Sequence, residues 1–190
     1  MEKIRFDNRF MNWDGRTNCL VSVDGSDFRA CLSNWRGFYS HKFKSGGLRY
    51  EIAVCIQTGW IVWINGPYPA GQWPDITIFR HRLKTQLLEN EVVEADRGYR
   101  GDGSTVCPDD CNTFDEWKIK FNVRARHETV NKRMKDFKVL ESRFRHKVSR
   151  YDMHRHELCF TAVAIITQLH ISSFEPLFPI KDYDFSYVSI

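Results

Sequence analysis

Asp24 and Asp96 each close a short apolar run, Leu20–Asp24 (LVSVD) and Glu91–Asp96 (EVVEAD). Both runs read as strands, so each acid falls at the C-terminal end of a strand, where sites in open α/β sheets lie. A third acid, Glu128, stands among cations. Arg124, Glu128, Asn131 and Lys135 are spaced i, i+4, i+7 and i+11, and on a helix they share a sector about 60° wide. An acid in such a stripe is either a rung of a structural salt-bridge ladder or the partner of the two strand-end acids in one site. The stripe belongs to the most basic part of the chain. Residues 118–150 hold 12 Lys and Arg against three acids, net +9, and the remainder is −5. That concentration is the footprint of a polyanion binder, or else a solvated helix face.

Positioning these groups requires a sheet and at least one long helix. Leu48, Tyr50, Ile52, Val54 and Ile56 alternate with Arg49, Glu51, Ala53 and Cys55, the period of a strand. Gln57-Thr58-Gly59 is a turn, and Trp60–Ile64 completes a hairpin. Residues 29–47 read as irregular connection, and Asn65–Trp73, with two Pro and two Gly, as a loop. A helix is expected from Asp75 to about Leu88, a polar loop over Gly98–Trp117 and a brief strand over Lys118–Val123. A long helix is expected over Arg124–Ser149, its core face Val130, Met134, Phe137, Leu140, Phe144 and Val148. A last helix spans 154–171. The order implies an α/β fold, a hairpin plus parallel strands flanked by helices. It divides into an arm (1–19), one domain (20–172) and a Pro-containing tail (173–190).

The chain has 190 residues, 42% hydrophobic and 14% aromatic, enough for a sizeable core and too apolar for a disordered segment. The longest apolar stretch, Phe160–Ile166, is far short of the ~20 residues of a membrane span. The N-terminus lacks a signal-peptide h-region. Six Cys do not make a disulfide scaffold, so the expected setting is intracellular, reducing and away from membranes.

Other chemistry-bearing residues have plainer readings. Asp75 follows Pro74 at a helix start and reads as a cap. Asp27 falls on the strand face opposite Asp24 and reads as structural; Glu94 shares the face of Asp96 and is a minor alternative ligand. Cys107 and Cys111 lack a second pair for zinc. His154, His156 and Cys159 read as capping or surface groups. His156-Glu157 opens an H-E-x-x-H pattern, but Phe160 ends it. The six Trp and 14 Phe read as core and lid packing, with Trp35, Trp60 and Trp73 the ones whose exposure would matter.

The ordered motifs VDGSDF (Val23–Phe28), LRYEIAVCIQTGWIVWINGP (Leu48–Pro67), ADRGY (Ala95–Tyr99) and RHETVNKRMK (Arg126–Lys135) resemble the DDE endonuclease domain of Harbinger-type transposases, within the RNase H-like transposase superfamily. The resemblance covers about Leu20–Phe178. It implies an RNase H-like α/β fold and puts the family's three acids on Asp24, Asp96 and Glu128. Related insertion-sequence transposases carry Tyr, Arg, Glu and Lys at a spacing that here gives Phe121, Arg124, Glu128 and Lys135, so a Phe stands for the Tyr. Arg97 directly follows the second acid. The resemblance further implies Mg²⁺ or Mn²⁺ as two divalent ions, duplex DNA as substrate, a homo-oligomer when active, and the nucleus as location. With fewer than 25 residues before Asp24, recognition of transposon ends falls to a separate DNA-binding protein or to a further N-terminal region.

The residue types suit that chemistry. Two divalent cations about 3.5–4 Å apart activate water and relieve phosphate charge, and hard cations prefer oxygen ligands. Asp24 is the expected bridging ligand, with Asp96 and Glu128 completing the pair. Arg124, Asn131, Lys132 and Lys135 are expected to meet DNA; Asn131 alternatively orients Glu128. The rival readings are a domesticated domain that binds DNA or protein without cutting, and a stand-alone nuclease of the same fold.

Overall fold

Alternating apolar residues build the middle of the sheet. β1 (Cys19–Leu32) and β3 (Ser45–Cys55) pair antiparallel over nine residue pairs, with Asp24 opposite Ile52 and Gly25 opposite Glu51. The computed structural model describes residues 4–32, 36–148 and 152–185. Within them β2 (Tyr39–Ser40) and β4 (Ile61–Pro69) pair with β3. On the other side of β1 lie two parallel strands, β5 (Val92–Ala95) and then β6 (Thr105–Val106). β7 (Phe144–Val148) runs parallel to the far half of β1. The result is a seven-stranded mixed sheet with helices on both faces, the architecture expected of an RNase H-like α/β domain.

The two faces follow from strand alternation. Odd positions of β1 and β3 (Val21, Val23, Ala53, Cys55) pack against Phe79 and Leu83, the first from α1 (Asp75–His81) and the second from the 3-10 turn after it. Even positions (Phe28, Ala30, Tyr50, Ile52, Val54) pack against Val130 and Met134 of α2 (Phe114–Lys135) and Phe160, Val163 and Ala164 of α4 (His154–Ser173). The N-terminal arm is docked through Arg9. Its guanidinium lies about 4 Å from the rings of Phe6 and Phe10 and donates to Glu91 at 2.8 Å. Among the described residues no helix is long and apolar enough to cross a membrane.

Several elements differ from the sequence expectation. β1 continues past Gly25 to Leu32, so Asp24 sits mid-strand; only its neighbour β5 ends at the site. β4 continues through Asn65 to Pro69, where a loop was expected. The expected helix 75–88 is α1 plus a 3-10 turn over Leu83–Gln86. Lys118–Val123 is helix, because α2 starts at Phe114 with the Thr113 hydroxyl accepting from the Glu116 N–H at 3.1 Å. The long helix ends at Lys135; a single turn, α3 (Lys138–Glu141), and β7 follow. Phe144 and Val148 are buried as expected, but from a strand.

His156 belongs to this core rather than to a cap. It is fully buried, stacks on Tyr50, and shares a 2.8 Å hydrogen bond between Nδ1 and the Tyr50 hydroxyl. Burial pushes its pKa down from 6.5 to about 4. The unfolded chain therefore takes up this proton first as pH falls. The stability it contributes is complete above about pH 6.5 and is lost progressively down to about pH 4. The melting temperature of His156→Gln relative to wild type should rise between pH 7 and pH 4; a difference that does not change with pH would remove His156 from the acid response.

Candidate active site

The strand register brings the first two acids together. Val23 of β1 and Ala95 of β5 are parallel partners, so the residues that follow them, Asp24 and Asp96, stand side by side. Asp24 points to the even face, under α2, where the buried Asn131 amide donates to its Oδ2 at 2.9 Å. Glu128, one turn earlier on the same helix, is exposed at the mouth. Asp24, Asp96, Arg124, His127 and Glu128 line one narrow cleft of about 20 Å³, room for a single water-sized occupant.

The electrostatics report the crowding. The pKa of Asp24 is pushed up from 3.8 to about 7, first by burial, then by repulsion from Asp96, Glu128 and Asp75, with the Asn131 bond opposing. Lys135 lies 5.3 Å from the Phe28 ring. Burial and then Lys42 pull its pKa down, while Asp24 and Glu128 pull it up, so the ammonium sits within the field of both acids. Arg124 is exposed on the cleft wall and Lys132 is exposed on the helix surface. The basic segment is less open than its composition suggests. Lys120 is buried against Glu116 at 3.1 Å, and the buried Arg126 guanidinium donates to the carbonyls of Cys55, Ile56 and Phe178.

Residues outside the expected set also touch the cleft. His127 is buried; its Nδ1 shares a 2.8 Å hydrogen bond with Ser22, and its Nε2 has no partner. Burial, then Arg124 and Arg126, depress its pKa to about 3, so it is a neutral wall. Its position beside Glu128 was the available signal. Glu94 also lines the cleft, but accepts from Tyr183 at 2.7 Å. Asn131 orients Asp24, not Glu128.

Asp75 corrects a reading. It makes no side-chain cap bond; Pro74 occupies the cap position. Its carboxylate instead lies against Gly25 on the odd face, with Arg49 at 3.3 Å, and its charge reaches both Asp24 and Asp96. Asp27 is structural: it is buried and accepts from Ser40 at 2.6 Å and Arg49 at 2.7 Å.

A family model described as DDE superfamily endonuclease matches residues 24–168. The chain belongs to that family. No curated protein and no solved structure matches it. In this DDE endonuclease domain the match begins at Asp24 itself and ends within α4. The family generally uses divalent metal ions. Donor type and charge here suit such ions: the three acids offer hard oxygen ligands, and the charges of Asp96 and Glu128 bear on Asp24. As they stand, however, no group of three His, Cys, Asp or Glu among the described residues could hold a metal ion. Glu128 is the exposed member of the three. Cys107 and Cys111 donate instead to the carbonyls of Asp96 and Pro108. Trp35 lies outside the described residues, and Trp60 and Trp73 are half-buried.

Proposed function

We propose that this domain is the metal-dependent DNA endonuclease and strand transferase of a Harbinger-type DDE transposase, working in the nucleus on duplex DNA. Residues 20–172 form its catalytic unit, flanked by an arm and a tail. The observation that carries the reading is the Val23–Ala95 register, which sets Asp24 beside Asp96 in the cleft that Glu128 also lines. Asp24, Asp96 and Glu128 would hold two Mg²⁺ or Mn²⁺ ions. Bound there, such ions supply Lewis-acid stabilisation of the phosphate and an activated water. The chain's own groups do the rest. Asn131 fixes Asp24, the neutral His127 closes the floor, and Arg124, Lys132 and Lys135 take phosphate oxygens. A freed 3′-OH then attacks a phosphorus of target DNA and displaces the target's own 3′-oxygen, which leaves as a 3′-OH, with no covalent protein intermediate. The active assembly is a homo-oligomer, with a separate DNA-binding protein as a further partner.

The test is nicking of supercoiled plasmid in Mg²⁺ or Mn²⁺ and its loss in chelator. The second reading is a domain that binds DNA without cutting. It predicts retarded plasmid and no nicks with either metal.

The basic stripe gives a separate expectation. Losing Lys135 (Lys135→Ala) should weaken binding about equally for all duplex sequences and make the salt dependence shallower by about one unit. Titrations between low and physiological salt measure the slope; an unchanged slope would make Lys135 a structural partner of Asp24 and Glu128 alone.

A further inference from the structure

The α2 face that carries Glu128 does not begin with polar residues. Phe114, Trp117, Phe121, Arg124, Glu128, Asn131 and Lys135 all fall within about 100° of one another on a helical wheel, so one stripe runs aromatic for two turns and then charged. The three aromatics form a ladder. Phe114 and Trp117 have centroids 5.8 Å apart at 22°, and Trp117 and Phe121 5.5 Å apart at 25°. All three face solvent, at 74%, 44% and 56% exposure, so the core does not require them. Aromatics also weaken a helix relative to Ala, Lys or Glu. Three large rings left in water on two turns mark a binding surface.

What the ladder borders identifies its ligand. Trp117 and Phe121 line a cleft of about 400 Å³ with Pro108, Arg97, Asp109 and two residues of the carboxylate site, Asp96 and Arg124. The ladder therefore ends at the metal-ligand candidates. Its rim carries cations: Arg97 and Arg100 pair with Asp109 at 2.7 and 3.0 Å, Arg100 also meets Asp110 at 3.6 Å, and Arg124 and Lys118 are exposed on the same helix as the rings. Flat π faces flanked by cations are the recognition chemistry of unpaired bases. Stacking takes the base, and the cations take its phosphate. Because the rings already lie on one another, a base extends the ladder at Phe121, toward the cleft, rather than inserting between them.

We propose that Phe114, Trp117 and Phe121 form a stacking platform that receives an unpaired nucleotide of the DNA next to the phosphate to be cut. The proposal rests on the endonuclease reading and deepens it: the preferred substrate is DNA frayed, mismatched or single-stranded beside the scissile bond, not flush duplex.

The test is anisotropy in chelator with three labelled probes: flush duplex, the same duplex with a forked end, and single strand. The wild-type chain should prefer the forked and single-stranded probes. Trp117→Leu and Phe121→Leu, which stay apolar but remove the π face, should lose roughly tenfold on those two probes and little on flush duplex. Trp117→Phe should retain the preference, which separates stacking from general damage. Circular dichroism melts establish that each variant folds. Absence of fork preference in the wild type, or equal loss on all probes, would overturn the platform. So would a Leu variant that changes sedimentation from dimer to monomer and leaves DNA binding intact, since the rings would then be a protein interface. Failure of the endonuclease reading shows differently, as fork preference without nicking in either metal.

Discussion

An Asp24→Asn chain is expected to lose metal-dependent cleavage by about a thousandfold or more, and to melt at a higher temperature than wild type in metal-free buffer at pH 8. The two effects have one origin. Asp24 is the acid placed among the other carboxylates, and its pKa rises from 3.8 to about 7, through burial first and then Asp96, Glu128 and Asp75. The folded chain thus holds this proton more tightly than the unfolded chain. The stability linked to it is complete below about pH 4 and is lost as pH rises through about 7. Above that, the wild-type fold carries an unfavourable charge that an amide lacks, while an Asn at 24 still offers Asn131 a carbonyl acceptor. The gain in melting temperature should be large at pH 8, small at pH 5 and absent below pH 4. Function held against stability in this way is common at active sites. Scanning fluorimetry in chelator, paired with plasmid nicking, measures both. Equal melting at pH 8 would mean that Asp24 is not strained by its neighbours, and retained nicking would remove it from the catalytic set.

Gly25→Ala should be nearly as damaging. A Cβ there would stand 1.8 Å from Asp75 Oδ1 and 2.6 Å from its Cγ. The Asp75 side chain is too short to bend aside, so it must swing away from the 3.3 Å contact with Arg49, or β1 must shift beside Asp24. Overpacking of this kind costs about 1–3 kcal/mol, and displacement of β1 would move the first acid. Removing the obstacle tests the cause. Gly25→Ala combined with Asp75→Gly should be more stable than Gly25→Ala alone, a non-additive result for residues in contact. If the double variant is as unstable as the sum of the singles, backbone freedom at Gly25 and not the close approach is what matters.

Gly25 also explains one thing that the sequence left unread. A glycine after an acid looks like the end of a strand, whereas here it is a strand residue whose missing side chain admits a carboxylate from α1. The expected start of α2, Arg124, lies ten residues late, although Thr113 and Glu116 have the spacing of a capping box and Asp115 adds charge to the first turn. Its end carries no such signal. No Gly or Pro separates Lys135 from Phe144, and what turns 144–148 into a strand is pairing with β1, a partner more than 110 residues away. Core membership survived the error, since apolar residues are buried from either element. The order of Asp24, Asp96 and Glu128 along the chain was legible because each lies in a strong local pattern. The roles of Asn131, His127 and Asp75 depended on which strand face each helix covers, and single-sequence periodicity does not carry that.

The same strand that seats Asp24 has a history during synthesis. β1 is made early, yet its partners on one edge are residues 92–95 and 144–148, and the contact from Asn131 to Asp24 spans 107 positions. At about 5–20 residues per second, those positions take on the order of 5–20 s to emerge. Until residues 92–95 emerge only the β3–β4 hairpin is present to pair with β1, and the edge that β5 will take stays open, a hazard for wrong pairing. High contact order of this kind slows folding. It also means that a nascent chain carries Asp24 and then Asp96 with nothing across from them until α2 arrives, so whatever the cleft does to DNA is withheld until most of the domain has been made.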